Sequence, residues 1–293
     1  MRALSKYHMW FMTLLLVFSV TGCDLIDKNY HKSNNRKWWP LLLLKGGAVS
    51  LQPVYIGTSG DLTTAAGYSI LAKTSIPVIP DPVFSLLVIG NVGLTPETNC
   101  ATVLDSWTLT GLIGDPYFDS VHVPTPFHVY CAGNTGGTTA ADLAQAEIVM
   151  DDAYDDAAAR PHSIPDADYL DIGNPTAGIL TNYNLRAGVY EWGTDLYIPT
   201  NLILTGSATD VWIFKVAGDF FIKGGRFVVL QGGALPENIF WQVAGNVVIG
   251  GNAQFKGIIL SAGYIEMWNG ATIDGRVLSQ TYVDLDMATV IQP

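Results

Sequence analysis

Charge is what this sequence has least of. Only 14% of its 293 residues are Asp, Glu, Lys or Arg, and 15 basic against 26 acidic residues leave a net charge of −11. Nucleic-acid binding needs a basic footprint, so that class is excluded. Acidity alone says only that the body is soluble and self-repelling. Cysteine is scarce as well, at three. Long apolar runs are missing: residues 10–20 (WFMTLLLVFSV) and 38–44 (WWPLLLL) both fall short of the ~20 residues that span a bilayer. Glycine is plentiful, yet no strand–G-x-G-x-x-G–helix unit occurs, which excludes a dinucleotide or phosphate loop. His122 and His128 sit in a Pro-rich stretch without Cys, His or acidic partners at ligand spacing, and read as loop histidines. No cofactor and no metal site is expected.

The first residues read as targeting rather than fold. Arg2 and Lys6 precede the apolar run, and Val20-Thr21-Gly22-Cys23 follows it, so residues 1–22 are expected to be a signal peptide. The VTGC ending resembles a bacterial lipobox, which makes Cys23 a candidate lipidation site; the alternative is an ordinary secretory signal with Cys23 incidental. Residues 23–47 are polar, locally basic and then sticky, and read as a lipid-anchored tether. The ordered domain is expected over 48–293, outside the cytoplasm, bound to a membrane by its anchor without spanning it, or secreted. In an oxidising compartment the remaining pair, Cys100 and Cys131, most simply forms a disulfide.

One segment has helical periodicity. In 138–160 (TTAADLAQAEIVMDDAYDDAAAR), Leu143, Ala146, Val149, Met150, Ala153 and Ala157 recur three and four apart, with Thr138 or Thr139 as N-cap and Pro161 past the end. Asp151, Asp152, Asp155 and Asp156 fall mostly on the other side and read as a solvated face.

The partner for that stripe is repetitive. Short strand-like pieces begin at Asn246 (NVVIG), Tyr264 (YIEMW) and Tyr282 (YVDLD), each 18 residues after the last, with Val247 and Ile249, Ile265 and Met267, Val283 and Leu285 as apolar alternates. A second repeat, WIFKVAGD at 212–219 against IFWQVAGN at 239–246, is offset by 27. Fixed offsets with Gly-rich corners are the signature of a solenoid. A coil of this length fits three strands and three turns. The fold expected is mainly β: a triangular β-solenoid (β-helix) of either hand with one long α-helix packed alongside. Strands near 68–72 and 85–92 are expected to close the same solenoid, and residues 95–135, with the Cys pair as a staple, to cap one end.

The order of these parts resembles the microbial ice-binding protein family, a three-sided, discontinuous β-solenoid flanked by a helix. The matching stretches run from YSILAKTSI (68–76) and GNVGLTP (90–96) through AYDDAAAR (153–160), AGVY (187–190), DVWIF (210–214) and NIFWQV (238–243) to FKGIIL (255–260) and GATIDGRVL (270–278). The resemblance implies adsorption to an ice crystal surface by a flat face of small side chains, with no catalysis. Asn269–Thr272 looks like the family's Thr/Ala/Asn turn motif. Candidate ice-contacting residues are therefore Asn252, Asn269, Ala271, Thr272, Ala288 and Thr289, with Thr200, Thr63 and Thr64 as alternatives. A monomer is expected. The second reading is a carbohydrate-binding or adhesive surface using outward Tyr264, Trp268 and Tyr282 beside Glu266, Asp284 and Asp286. A solenoid hydrolase resting on Glu266 and Asp284 is the third.

Overall fold

Alternating apolar and polar residues make short strands, and fixed offsets bring those strands side by side. The computed structural model describes residues 51–79, 86–95, 107–133, 136–173 and 178–293. The segments expected to be a signal peptide (1–22) and a tether (23–47), and Cys100, lie outside the described residues. Within Val49–Pro293, one compact unit, all but one of the strand pairings among the described residues are parallel.

From residue 184 onward the chain visits three sides in rotation. Gly188–Trp192, Trp212–Val216, Ile239–Val243 and the second halves of Gln254–Ser261 and Thr272–Ser279 line up on the first side. Leu196–Ile198, Phe220–Ile222, Val247–Ile249, Ile265–Met267 and Val283–Asp286 form the second. Asn184–Leu185, Leu202–Thr205 and Val228–Gln231, then the first halves of the two long strands and Thr289–Ile291, follow on the third.

The N-terminal strands continue this rotation beyond the C-terminus. Ile70–Ala72 pairs with 277–279 on the first side, Val78–Ile79 with 285–286 on the second, and Leu87–Ile89 with Thr289–Ile291 on the third. Val92–Leu94 and then Val129–Cys131 add to the first side again. The expectation that the early strands complete the same body holds. The strand expected at 85–92 is broken at Gly90 and Asn91. Gly90 has φ +140°, and the Asn91 side chain donates to Gly67 O at 3.1 Å and accepts from His128 N at 3.1 Å.

Both repeats have a physical origin. The 18-residue rows are in register, Val247 beside Ile265 beside Val283, and Ile249, Met267 and Leu285 are buried like them. In the 27-residue repeat Phe214 pairs with Trp241, and their rings stack at 4.0 Å in the interior, with Tyr190 and Phe255 extending the aromatic pile. The repeat's last residues make a corner ladder: Asp219 N donates to Asp195 Oδ1, Asn246 N to Asp219 Oδ1 and Tyr264 N to Asn246 Oδ1.

The helix, α1, spans Thr139–Ala159, and every residue of the expected stripe is buried. It packs on the outer face of the first side, against Leu71, Val189, Ile213, Phe240, Ile258, Leu260 and Leu278. Neither threonine makes an N-cap side-chain bond in the usual sense; Thr138 Oγ1 donates to Asp142 and Thr139 Oγ1 to Gly136 O and Pro116 O. The last turn of α1 has no basic residue of its own, so Lys215 from the sheet supplies one, donating to Arg160 O at 2.8 Å. Among the described residues no helix is long and apolar enough to cross a membrane.

Candidate functional site

With the first side under α1, the outer faces open to a partner are the second side, the third side and the corner between them. That corner has a regular backbone. Gly225, Asn252, Gly270 and Met287 occupy it on successive coils, all with positive φ (66°, 58°, 73° and 45°). They are joined along the row: Gly225 N donates to Gly251 O, Asn252 N to Asn269 O and Gly270 N to Met287 O, at 2.9, 3.0 and 3.3 Å. Gly and Asn tolerate this left-handed conformation best, which explains the Gly- and Asn-rich corners of the sequence.

This backbone sorts the candidate residues. Asn252 and Asn269 are exposed. Gln254, Thr272 and Thr289 pair in register, exposed or half-buried, as the first positions of the third side. Ala271 and Ala288 are corrections: both are fully buried, in a column with Ala253, and neither can touch a surface ligand. The left-handed residue before each alanine turns its Cβ inward. Thr64 is also corrected. It is 6% exposed, and its hydroxyl donates to Thr58 O and Asp61 O. Thr63, exposed, is bound to Asp61 Oδ1 at 2.7 Å in that same local turn and is not part of the corner row. Thr200 stands at the corner near its far end, half-buried, accepting from Asn182 N at 2.7 Å. The structure thus gathers Asn252, Asn269, Thr272 and Thr289, with Thr200 further along the same corner.

The second side differs. Its outward row is Tyr197, Phe221, Val248, Glu266 and Asp284, paired in register along the sheet and all half-buried. Tyr264 and Tyr282 stack at 5.0 Å beside it. Burial, then the charges of Glu266 and Asp286, push the Asp284 carboxyl above its ordinary value. Gly250, which follows inward Ile249, is buried as well because Gly224 packs against its backbone. Tyr197 and Phe221 escaped the sequence reading, since their coils are longer and an 18-residue ruler misses them. For Phe221 the available signal was its position two residues after the repeated V-A-G-D/N corner, matching Val248 in the second copy. His122 Nδ1 lies 3.2 Å from Leu86 O, and His128 Nδ1 lies 2.8 Å from Asp119.

Comparison with known proteins agrees with this architecture. The Ice-binding-like family model matches residues 70–291. An ice-binding protein of Flavobacterium frigoris is 38% identical over 234 residues, 80% of this chain and 76% of that protein. One from a Colwellia species is 37% identical over 233 residues, 80% and 83% of the two chains. Among solved structures, the Arctic yeast ice-binding protein LeIBP, described for its antifreeze activity, superposes with a TM-score of 0.71 at 32% identity, over 82% of this chain and 94% of that one. The chain belongs to the Ice-binding-like family.

Proposed function

We propose that this protein adsorbs to ice through the corner and the adjoining third side, inhibiting ice growth and recrystallisation. The observation that carries this is the in-register row Gln254–Thr272–Thr289 beside exposed Asn252 and Asn269. Stacked parallel strands repeat at about 4.7–4.9 Å, so small side chains in such a row present evenly spaced, weakly hydrated groups to lattice water. Each contact is weak; many held in register by a rigid backbone make attachment collective. The mechanism uses no pocket and no proton transfer.

The three sides are read as a triangular solenoid. Residues 95–135 are read as the cap of one end; Trp107, fully buried with its indole N–H on Ile76 O at 2.8 Å, supports that. The disulfide-bonded state and full burial of Cys131 support a Cys100–Cys131 link. The signal peptide, Cys23 anchor, extracytoplasmic location and monomeric state complete the proposal, on the sequence features given above.

Ice-crystal microscopy with the purified protein tests the reading. Faceted growth, thermal hysteresis and inhibited recrystallisation are expected; unmodified disc growth would refute it. Thr272→Tyr places a bulky ring in the row and is expected to abolish these effects with little change in melting temperature. Full activity in that variant moves the adsorbing surface off this corner.

A further inference from the structure

The second side carries a feature that ice adsorption does not use. Trp268 is 47% exposed, the most exposed aromatic ring on this sheet, and its centroid lies 5.8 Å from Phe221. Phe221 in turn stacks on Tyr197 at 5.3 Å with planes 2° apart, which makes a strip of three rings along a rigid parallel sheet. The Trp268 indole N–H donates to Glu266 Oε2 at 3.3 Å, so its polar edge is engaged and its apolar face is free. Glu266 and Asp284 are register partners, and Asp286 follows two residues on. Glu266, Met267, Trp268, Asp284 and Asp286 line a shallow groove of about 360 Å³, at the small end of the roughly 300–1,000 Å³ common for ligand clefts. None of the three carboxylates has a Lys, Arg or His partner among the described ion pairs. Among the described residues Asp284 Oδ1 and Asp286 Oδ1 have no hydrogen-bond partner and are shielded from solvent, while the Asp284 carboxylate receives one backbone N–H, that of Leu285.

We propose that this groove binds a neutral or amino-bearing saccharide. The pyranose stacks its C–H face on Trp268, and its hydroxyls donate to Glu266, Asp284 and Asp286. Ionised carboxylates only accept hydrogen bonds, so the ligand must bring several donors. Vicinal hydroxyls on a flat ring supply donors at short intervals, together with an apolar face for the indole. A metal ion fits less well: no three His, Cys, Asp or Glu side chains among the described residues converge to hold one. A single Lys or Arg side chain engages one or two carboxylates and leaves the rest unpaired. The crowding of three negative charges excludes sulfated sugars and uronates. Phe221 and Tyr197 extend the platform, so an oligosaccharide gains over a monosaccharide.

Glycan-array screening of the whole protein, followed by calorimetry with glucose, N-acetylglucosamine and glucosamine oligosaccharides, tests this. Saturable binding to one of these classes is expected, weakened at least tenfold by Trp268→Ala and by Asp284→Asn, with the melting temperature nearly unchanged. A profile empty of neutral and amino sugars, preference for sulfated or uronate glycans, or full binding by Trp268→Ala would each overturn it. So would binding of oligolysine in place of any sugar, which would make the groove a basic-peptide surface. The site stands apart from the ice reading, and thermal hysteresis measured on the same samples separates the two. Loss of sugar binding with hysteresis intact removes only this proposal, and the converse removes only the other.

Discussion

The helix-covered first side and the bare second side are built from the same backbone and differ almost entirely in one row of side chains. Both are parallel, in register, and lined inside by buried apolar residues. Outside, the first side presents Leu71, Val189, Ile213, Phe240, Ile258, Leu260 and Leu278, all buried under α1. The second presents Tyr197, Phe221, Val248, Glu266 and Asp284, none of them fully covered. The ionic chemistry follows the same division. On the covered side Lys73 holds Asp151 at 2.7 Å and Glu147 at 3.1 Å, and Lys215 holds Glu191 at 2.8 Å. The three carboxylates of the second side have no such cations among the described residues. The fold therefore does not decide what a side is for; the outward row does, by seating the chain's own helix or by leaving acceptors for something outside the chain.

The largest break in that comparison is expected at Phe240, buried between α1 and the sheet. Phe240→Ala is expected to cost about 3–5 kcal/mol through lost burial and a residual cavity, read as a lower denaturation midpoint in guanidinium. A cost below about 1 kcal/mol would mean that α1 is not seated by this row. Next comes Lys215→Met, which removes hydrogen bonds to Glu191 and to the end of α1. A loss of about 1.5–3 kcal/mol is expected at neutral pH. The hydrogen bond from Lys215, against the opposing effect of burial, holds the Glu191 carboxyl below its ordinary value of 4.5. A depressed carboxylate contributes stability above that value and loses it as pH falls through the folded-state titration. The gap between wild type and variant should therefore narrow between pH 6 and pH 3; a constant gap would assign the effect to Arg160 O alone.

How much of this was readable from the chain depends on whether a single period held. The α1 stripe follows one period of 3.6 from Leu143 to Ala157, and all six of its expected residues are buried. The rows headed by Val247, Ile265 and Val283 keep a strict offset of 18 and alternate as a strand should. Across the corner, parity counting from Ile249 and Met267 places Ala253 and Ala271 inward and Thr272 outward, as found; from Leu285 it fails, because this corner is one residue shorter and Ala288, after left-handed Met287, faces inward while Thr289 takes the outward place. Hydrophobicity cannot reveal that switch, because alanine suits either environment. Tyr197 and Phe221 were hidden by coils of 24 and 27 residues. Thr63 and Thr64 looked like surface threonines because the sequence does not show that Asp61 organises them into a turn of its own.

The smallest effects belong to the bare side. Phe221→Ala removes a half-exposed ring with none of the described helices above it. A cost near 1 kcal/mol is expected from the lost stacking on Tyr197 and Trp268, well below that of Phe240→Ala; equal costs would erase the distinction between the two sides. Asp284→Asn is expected to go the other way and stabilise slightly. Burial, followed by repulsion from Glu266 and Asp286, raises the Asp284 carboxyl above its ordinary value of 3.8. A carboxyl raised in the folded state binds protons more readily there than in the unfolded chain, so its ionised form costs stability at neutral pH and the cost fades as pH falls toward 3.8. Because the groove opens to solvent, the gain from Asn is expected to be only a few tenths of a kcal/mol. It should be measurable in urea at pH 7 and absent near pH 3.5. A variant less stable than wild type at pH 7 would mean that Asp284 makes a stabilising contact in the folded protein, and its carboxylate would then not be a spare acceptor waiting for a ligand.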